Sequence, residues 1–390
     1  MRTLLVTGPG GSGRTTVAAA TALAAARAGQ RVLVLTADRA DTLGAVLGAP
    51  GAHPGLSTRR LAPDDRFRAD LLALQDRAAT ALDLLGAERL DGDELTPLPG
   101  SEELALLRAL RDTARDDAYD TVVVDLPAAP RALATLALPE QLRRYLRRLL
   151  PPERQAARAL RPMLGRLAGV PMPAAWLYDT AARWEDELAA AQRVVEAPTT
   201  TVRLVAEPGP AGTDALRTAA AGLALHGLRT DLLIANRVLP DASADPWLAG
   251  LAAQQHKALD EWRAAHGRVD AVPHLGRDPR GADDLAALGL PAPTTAPAAA
   301  PGPADWPVTE AAADDGARTY VWHIPLPGLT REELGLIRRG DELVVTAGPF
   351  RRIVTLPSAL RRCTVAGAGL REGALRVRFT PDPDLWPRGR

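Results

Sequence analysis

Cysteine and lysine are nearly absent from this chain of 390 residues. The one cysteine, Cys363, excludes an intramolecular disulfide and a cysteine-based metal site within one chain. Lys257 is the only lysine among 47 basic residues, so arginine fills nearly every basic position. A motif that normally contains lysine must therefore be judged against this bias.

The chain also lacks an excess of charge of either sign and a long hydrophobic run. Its 47 acidic residues balance its 47 basic residues, so charge favours neither nucleic acid nor an anionic membrane as a partner. No apolar run approaches the ~20 residues that a membrane span requires. The short apolar run at the N-terminus leads directly into a glycine-rich loop, which is not typical of a signal peptide. We therefore expect a soluble, cytoplasmic protein without a membrane span.

The glycine-rich loop at residues 8–16 reads Gly-Pro-Gly-Gly-Ser-Gly-Arg-Thr-Thr. A β-prone run, 4–6, precedes it, and an alanine-rich helical stretch, 17–26, follows it. Strand, glycine loop and helix are typical of a P-loop, in which backbone N–H groups and a helix N-terminus surround a phosphate. The standard loop has a lysine that reaches the β- and γ-phosphates, followed by a hydroxyl for Mg²⁺. Here Thr15 supplies the hydroxyl, and Arg14 replaces the lysine.

The arginine at position 14 has two explanations that the sequence leaves open. It reflects either a general replacement of lysine by arginine or a change selected at this position. In both cases the chemistry differs, because lysine is a compact point charge and guanidinium is planar and larger. Arg14 can neutralise a phosphate charge, but we do not expect it to occupy the position of a lysine.

Strand candidates alternate with helical stretches as far as about residue 290, and this alternation predicts a doubly wound, mostly parallel sheet in an α/β P-loop domain, 1–290. Residues 291–315 are rich in proline and alanine and predict a flexible linker. Short strands separated by turn residues then predict a small all-β domain at 316–381, followed by a tail at 382–390. The strand candidates are 4–7, 31–35, 121–125, 202–206, 231–236, 319–324, 342–347, 350–356 and 374–379.

An acidic residue, Asp125, ends one of the apolar strand candidates. In P-loop proteins an aspartate at this place holds the Mg²⁺ shell directly or through water. An ordinary turn aspartate after a buried strand is the alternative. The upstream glycine loop favours the first interpretation, so we predict Thr15 and Asp125 as the Mg²⁺ site.

Six motifs in residues 1–290 resemble, in order, those of the arsenite-pump ATPase (ArsA) family, which also contains the ATPase that targets tail-anchored membrane proteins. Residues 9–16 of the glycine loop occupy the family pattern K-G-G-V-G-K-T-T without gaps. The others are the first switch T-D-P-A-x-x-L at 37–43, P-P-G-x-D-E at 98–103, the second switch D-T-A-P-T-G-H-T-L at 125–133, the adenine motif N-R-V-x-P at 236–240 and V-P-x-x-x-x-E-x-x-G-x-x-x-L at 272–285.

This resemblance implies an ATP hydrolase with ATP and Mg²⁺ as cofactors, acting on a protein partner of unknown identity, and it is compatible with a homodimer. Asp38 would orient the attacking water, and Arg14 would take the phosphate charge. The arsenite-binding cysteines and the zinc C-x-x-C of other branches are absent, so neither arsenite nor zinc is expected. The implied nucleotide-binding residues are Gly10, Gly11, Ser12, Gly13, Arg14, Thr15, Thr16 and Asn236.

Three departures from the family pattern fall on catalysis. Arg14 replaces the phosphate lysine, and Pro9 replaces the lysine that in the family reaches the partner's nucleotide. Ala129 and Pro130 replace the Thr-Gly of the second switch, and proline has no N–H to offer a phosphate. Because the loss of one such donor commonly lowers the rate by about 10²–10³, we predict a degenerate active site with weak or vestigial ATPase activity.

Two switch-region arginines, Arg39 and Arg131, have alternative interpretations. They can compensate in part as phosphate-facing cations, since arginine stabilises transferring phosphoryl groups. Alternatively, they are solvated side chains in an arginine-rich chain, and the composition favours this second interpretation.

The C-terminal segment resembles the α-crystallin domain of small heat-shock proteins, which is a β-sandwich. Residues 325–334 match its v-P-G-x-x-x-e-d-i entry, and residues 368–375 match its closing A-x-x-x-x-G-x-L. Some ArsA-like proteins of the actinobacterial type carry such a domain. The tail has no I-x-I anchor, so assembly through the tail is not expected.

Two functions follow from these patterns. The leading hypothesis is a nucleotide-binding protein that couples a weak nucleotide switch to a protein partner. The alternative is a non-enzymatic pseudo-ATPase scaffold, or chaperone-like module, whose β domain binds partners. The sequence leaves the oligomeric state and the docking of the β domain open.

Overall fold

The computed structural model describes most of both predicted domains. The predicted linker and tail lie partly outside the described residues. The described residues are 1–48, 53–77, 79, 82–83, 86, 88–96, 98–150, 175–240, 244–294, 306–312 and 318–385.

A seven-stranded parallel sheet forms the centre of the N-terminal domain, with the strand order β3-β2-β4-β1-β5-β6-β7. Its strands are β1 (Arg2–Thr7), β2 (Val32–Thr36), β3 (Leu56–Arg60), β4 (Thr121–Asp125), β5 (Thr200–Ala206), β6 (Thr230–Val238) and β7 (Val269–Pro273). The α-helices of the described residues are α1 (Arg14–Arg27), α2 (Thr42–Leu47), α3 (Pro63–Arg77), α4 (Ser101–Arg115), α5 (Ala129–Leu149), α6 (Ala175–Glu196), α7 (Pro210–His226), α8 (Pro246–His266) and α9 (Gly281–Ala287).

Helices cover both faces of this sheet, as predicted. Successive residues of a strand point to opposite faces. Accordingly Leu4 and Val6 of β1 pack with α1 and α9, whereas Leu5 packs with α4, α5 and α7. Strands β1 and β4 are buried along their whole length and have apolar centres, 4–6 and 122–124, which is typical of a parallel sheet enclosed by helices.

The central position of β1 determines where the site lies. Strand β1 pairs with β4 on one side and with β5 on the other. The order of strands along the chain reverses at this point, and ligands of open α/β sheets bind at the carboxyl ends of strands beside such a reversal. The glycine loop follows β1, and Asp125 ends β4, so both reach the same edge of the sheet.

Two antiparallel sheets form the C-terminal domain, in the orders β13-β14-β9-β8 and β10-β11-β12. Side chains of both sheets, including Trp322, Ile324, Val345 and Phe379, are buried in one core. The prediction of an all-β domain is therefore confirmed. Its strands are β8 (Val308–Ala312), β9 (Arg318–Pro325), β10 (Leu334–Arg339), β11 (Glu342–Ala347), β12 (Phe350–Thr355), β13 (Cys363–Arg371) and β14 (Ala374–Pro381).

One segment of the predicted linker is a strand. Strand β8 lies inside the range 291–315 and pairs antiparallel with β9. It escaped prediction because its sequence, Val-Thr-Glu-Ala-Ala, is short and has only a weak apolar alternation. The β-sheet therefore begins earlier than residue 316.

The β domain is docked on the N-terminal domain. One continuous core contains Leu133 of α5, Leu216 of α7 and Phe350 of β12. Cys363 is also buried in this core, and burial raises the pKa of its thiol. Among the described residues no helix is both long and apolar enough to cross a bilayer.

We expect Phe379→Ala to destabilise the β domain, because the ring is fully buried in its core. Removal of a buried phenylalanine side chain leaves a cavity and costs about 3–5 kcal/mol. Ile337→Ala is the control, because this side chain on β10 is exposed, and it should change the free energy of unfolding by less than about 0.5 kcal/mol. Urea unfolding measures both variants, and equal losses would contradict the packing described.

Candidate functional site

The glycine loop between β1 and α1 requires glycine at two places for different reasons. A Cβ on Gly8 would lie 1.9 Å from the carbonyl oxygen of Val205, so the backbones of the loop and β5 approach closely there. Gly13 has φ +86°, a left-handed conformation that favours glycine, and α1 begins at the next residue. Gly10 has open space around it. The loop therefore has the turn and the free backbone that a phosphate cradle needs.

Asn236, near the end of β6, holds the glycine loop through a side-chain hydrogen bond. Its Nδ2 donates a hydrogen bond of 2.8 Å to the carbonyl oxygen of Ser12, and the side chain is buried. A Cβ on Gly13 would lie 2.2 Å from the same nitrogen. The nitrogen of the residue predicted to contact adenine is thus bonded to the loop itself. Beside it opens a cavity of about 220 Å³, which Thr16, Pro273 and Leu275 also line.

Arg14 reaches towards the second switch. Its Nη1 donates a hydrogen bond of 2.7 Å to the carbonyl oxygen of Leu126, directly after β4. The side chain is half-buried, and burial lowers the pKa of its guanidinium, while the charge of Asp125 opposes this shift. The guanidinium therefore lies between the glycine loop and the second switch and does not extend into solvent.

The predicted Mg²⁺ residues meet at the end of β4. Thr15 donates a hydrogen bond of 2.8 Å from its hydroxyl to Oδ2 of Asp125, and Thr36 of β2 donates to the same oxygen at 3.4 Å. Burial raises the pKa of Asp125 to about 6, although the bond from Thr15 and the charge of Arg14 oppose the shift. A hydroxyl beside a buried carboxylate is the protein part of a P-loop Mg²⁺ site.

Asp38, in the first switch, is bonded to its own loop. Its carboxylate oxygens accept hydrogen bonds of 3.0 Å from the N–H groups of Ala40 and Thr42. Bonds from Thr42, together with that from Ala40, lower the pKa of Asp38, so the carboxylate is ionised at neutral pH. The side chain still borders the same cavity as Arg14 and Asp125.

The second switch is attached to β1 and to the glycine loop. The N–H of Leu126 donates to the carbonyl oxygen of Val6 at 3.0 Å, and the hydroxyl of Thr7 donates to that of Pro127 at 2.7 Å. The N–H of Ala129 donates to the carbonyl oxygen of Gly8 at 3.0 Å. Helix α5 begins at Ala129, so the proline that follows lies in the first turn, where an N–H would lack an intrahelical partner in any case.

The two switch-region arginines form ion pairs with carboxylates in the first turns of α3 and α4. Arg39 contacts Glu102 at 3.0 Å and Asp64 at 3.1 Å. Arg131 contacts Glu102 at 2.6 Å and Glu103 at 3.0 Å. Both arginines are more than half exposed, as solvated side chains would be. Each also pairs with carboxylates, which was not expected from the sequence.

These residues surround a cavity of about 470 Å³ beside the glycine loop. Guanidinium groups and carboxylates line the cavity together. The arginines are bonded to a backbone carbonyl or to carboxylates, and an oxyanion that entered the cavity would compete with these partners. Its charged lining residues are Arg14, Asp38, Arg39, Glu102, Glu103, Asp125 and Arg131.

Sequence reasoning missed two contributors. Thr36 faces Asp125 because β2 and β4 pair in register at these residues, which no sequence motif reveals. Arg237, with φ +57°, donates to the carbonyl oxygen of Gly11 at 3.2 Å and pairs with Glu207. It is part of the N-R-V motif and could have been found there.

Gly13→Ala is expected to destabilise the protein by about 2 kcal/mol or more, because alanine is strained at positive φ and its Cβ would displace Asn236. Gly10→Ala is the matched control, since an added Cβ meets no atom within 4 Å. It should change the free energy of unfolding by less than about 0.5 kcal/mol. Urea unfolding without nucleotide measures both, and equal effects would argue against the support by Asn236.

Comparison with known proteins gives two family matches and several relatives. Residues 1–289 match the anion-transporting ATPase family, and residues 317–379 match the HSP20-like domain found in ArsA. Uncharacterized protein SCO2128 of Streptomyces coelicolor is 68% identical over 100% of both chains. Protein Rv2184c of Mycobacterium tuberculosis is 36% identical, with 99% of this chain and 97% of the relative covered.

A third relative, from Aquifex aeolicus, carries the name "Putative arsenical pump-driving ATPase 1" and is 25% identical, with 93% of this chain and 95% of the relative covered. The family match covers the glycine loop, both switches and the sheet that positions them. The chain therefore belongs to the anion-transporting ATPase (ArsA) family and carries a C-terminal HSP20-like domain.

Proposed function

We propose that this protein binds ATP with Mg²⁺ at the glycine loop and acts as a nucleotide-dependent switch on a protein partner, with weak or vestigial ATPase activity. The observation that carries this proposal is the hydrogen bond from Arg14 to the carbonyl oxygen of Leu126. It joins the phosphate-binding loop directly to the second switch.

The residues of the site fit ATP and Mg²⁺. The loop has open space at Gly10 and Gly11, and backbone N–H groups of such a loop can bind phosphates without any side chain. Thr15 and Asp125 would hold Mg²⁺, which when bound neutralises phosphate charge. The cavity beside Asn236 has room for a base.

Three features support a low rate of hydrolysis. Arg14 is engaged with Leu126, and a guanidinium there does not reproduce the compact charge of a lysine. Pro130 offers no N–H in the second switch. Asp38 would have to orient a water while its oxygens accept bonds from Ala40 and Thr42.

Competition for Arg14 supports the switch. A phosphate oxygen is negatively charged, whereas the carbonyl oxygen of Leu126 is neutral, so a guanidinium gains an ion pair and two-point hydrogen bonding with phosphate that a carbonyl does not provide. A bound phosphate would therefore draw the guanidinium away from the carbonyl oxygen of Leu126. The second switch would then lose one of its bonds to the glycine loop.

Arsenical pumping, which the name of the Aquifex relative suggests for that protein, is not proposed for this chain. Arsenite chemistry of this family relies on cysteine thiols, and Cys363 is the only cysteine. It is buried in the β domain, and its raised pKa keeps the thiol protonated.

A non-enzymatic scaffold is the second candidate. The bonds from Leu126 to Val6 and from Ala129 to Gly8 favour it, because they attach the second switch to β1 and to the loop through backbone groups of the protein alone. The two candidates differ in one measurable property, since a scaffold does not need to bind ATP.

Calorimetric titration with Mg-ATP and Mg-ADP, with phosphate release followed on the same sample, tests the proposal. We expect binding of Mg-ATP with little turnover, and loss of the Mg²⁺ dependence in Thr15→Ala.

Arg14→Lys should raise turnover by roughly 10–100-fold, in line with the effect of single donors in such sites. Undetectable ATP binding would leave only the scaffold. If Arg14→Lys combined with Pro9→Lys stays inactive, the second switch is the larger defect.

The raised pKa of Asp125 predicts a pH dependence of Mg-ATP binding. Above pH 7 the carboxyl is ionised and ready for Mg²⁺, whereas below its pKa of about 6 the metal must displace a proton. Affinity should therefore be level above pH 7 and about tenfold lower at pH 5. In Asp125→Asn the loss of affinity that comes from protonation of Asp125 should vanish. Protonation of ATP itself affects both proteins equally, so the difference between their pH profiles isolates the carboxyl group. The same pH profile in both would contradict the assignment.

A further inference from the structure

Helix α5 connects the candidate site to the β domain. Its first residue, Ala129, is bonded to the glycine loop, and Arg131 borders the cavity. The helix continues through Pro139 to Leu149, and its 21 residues span about 30 Å. One continuous helix therefore begins at the phosphate site and reaches the β domain with its second half.

The second half of α5 contacts the β domain through two partly buried ion pairs and through a longer, exposed one from Arg148 to Glu342 at 4.0 Å. Glu140 and Arg144 are four residues apart and lie on one face of the helix. Arg144 makes two hydrogen bonds to Glu342 of β11, of 3.0 and 2.6 Å. Arg352 of β12 contacts Glu140 at 3.1 Å and is largely buried. An ion pair that is partly buried and makes two hydrogen bonds loses more of its stabilisation when the helix moves than an exposed pair does.

Helix α7 forms the other side of the docking surface. Arg217 makes two hydrogen bonds to Glu333, of 2.9 and 3.2 Å. At Gly222 the surface is tightly packed, because a Cβ there would lie 2.6 Å from the ring of Phe350 and from Leu133 of α5. The ring of Phe350 is therefore enclosed by both helices.

Apolar packing is continuous from the second switch to the β domain. Leu126, Ala129 and Leu133 belong to the same buried cluster as Phe350 and Val354. Close-packed interiors transmit displacements and change between discrete arrangements, so a shift at the start of α5 requires repacking at its contact with the β domain.

Resting on the proposed function, we propose that the β domain is the first partner of the nucleotide switch and that α5 couples its docking to occupancy of the phosphate site. A phosphate that draws Arg14 from Leu126 removes one of the bonds that hold the start of α5, and the contacts of Glu140 and Arg144 with the β domain loosen. Coupling between two equilibria is reciprocal, so loosening the docking raises the affinity for Mg-ATP by the same factor.

Charge reversal at the docking pair tests the coupling in the full chain. Arg144→Glu and Glu342→Arg each place like charges opposite each other, and the double variant restores an opposite pair. We expect the Kd for Mg-ATP to fall by about fivefold or more in each single variant and to return towards the wild-type value in the double variant. Arg147→Glu is the matched control, because Arg147 lies on the same helix but pairs with Glu185 of α6. It should leave the Kd unchanged.

Hydrogen exchange of the wild-type protein gives a second measurement that needs no variant. Saturating Mg-ATP should speed exchange of the β12 amides, which lie at the docking surface. If the wild-type protein binds Mg-ATP but neither the β12 exchange nor the Kd of the charge reversals changes, the coupling is wrong and the proposed function stands. If the wild-type protein binds no nucleotide, both are wrong.

Discussion

The attachment of the second switch to the glycine loop is the constraint on which the functional part of the structure depends. Bonds from Leu126 to Val6 and from Ala129 to Gly8 fix where β4 ends and where α5 begins. Arg14 adds a side-chain bond at the same place. The position of α5 then determines both the wall of the cavity and the surface on which the β domain packs.

The sequence predicted the central sheet well, because β1 and β4 have apolar centres whose burial favours strand formation. Edge strands carry a weaker signal. Strand β3 has the sequence Leu-Ser-Thr-Arg-Arg and is mostly exposed, so its sequence has no alternation of apolar and polar residues that would predict a strand. Docking of the β domain was also beyond prediction, since Arg144 and Arg352 are two among many arginines and their partners are distant along the chain.

Motifs predicted some of the residues that meet at this edge of the sheet. Thr15 and Asp125 were expected to meet, and their side chains do. Arg14 was recognised as unusual, but its partner is a backbone carbonyl, and carbonyl groups leave no trace in a sequence. The same holds for Asn236, which was expected to contact a base and whose side-chain nitrogen is bonded to the carbonyl oxygen of Ser12. Motifs identified the residues, and the fold determined what they contact.

The burial of Cys363 has a practical consequence. A thiol that is shielded from solvent and held protonated reacts slowly with maleimides and iodoacetamides. A cysteine introduced on the surface would therefore be the one readily labelled position, without removal of the native residue. The exposed amine of Lys257 on α8 offers a second, chemically orthogonal side-chain handle. With the new cysteine placed on the β domain, the two side chains would permit two-colour fluorescence between the domains, and the scarcity of cysteine and lysine makes this possible.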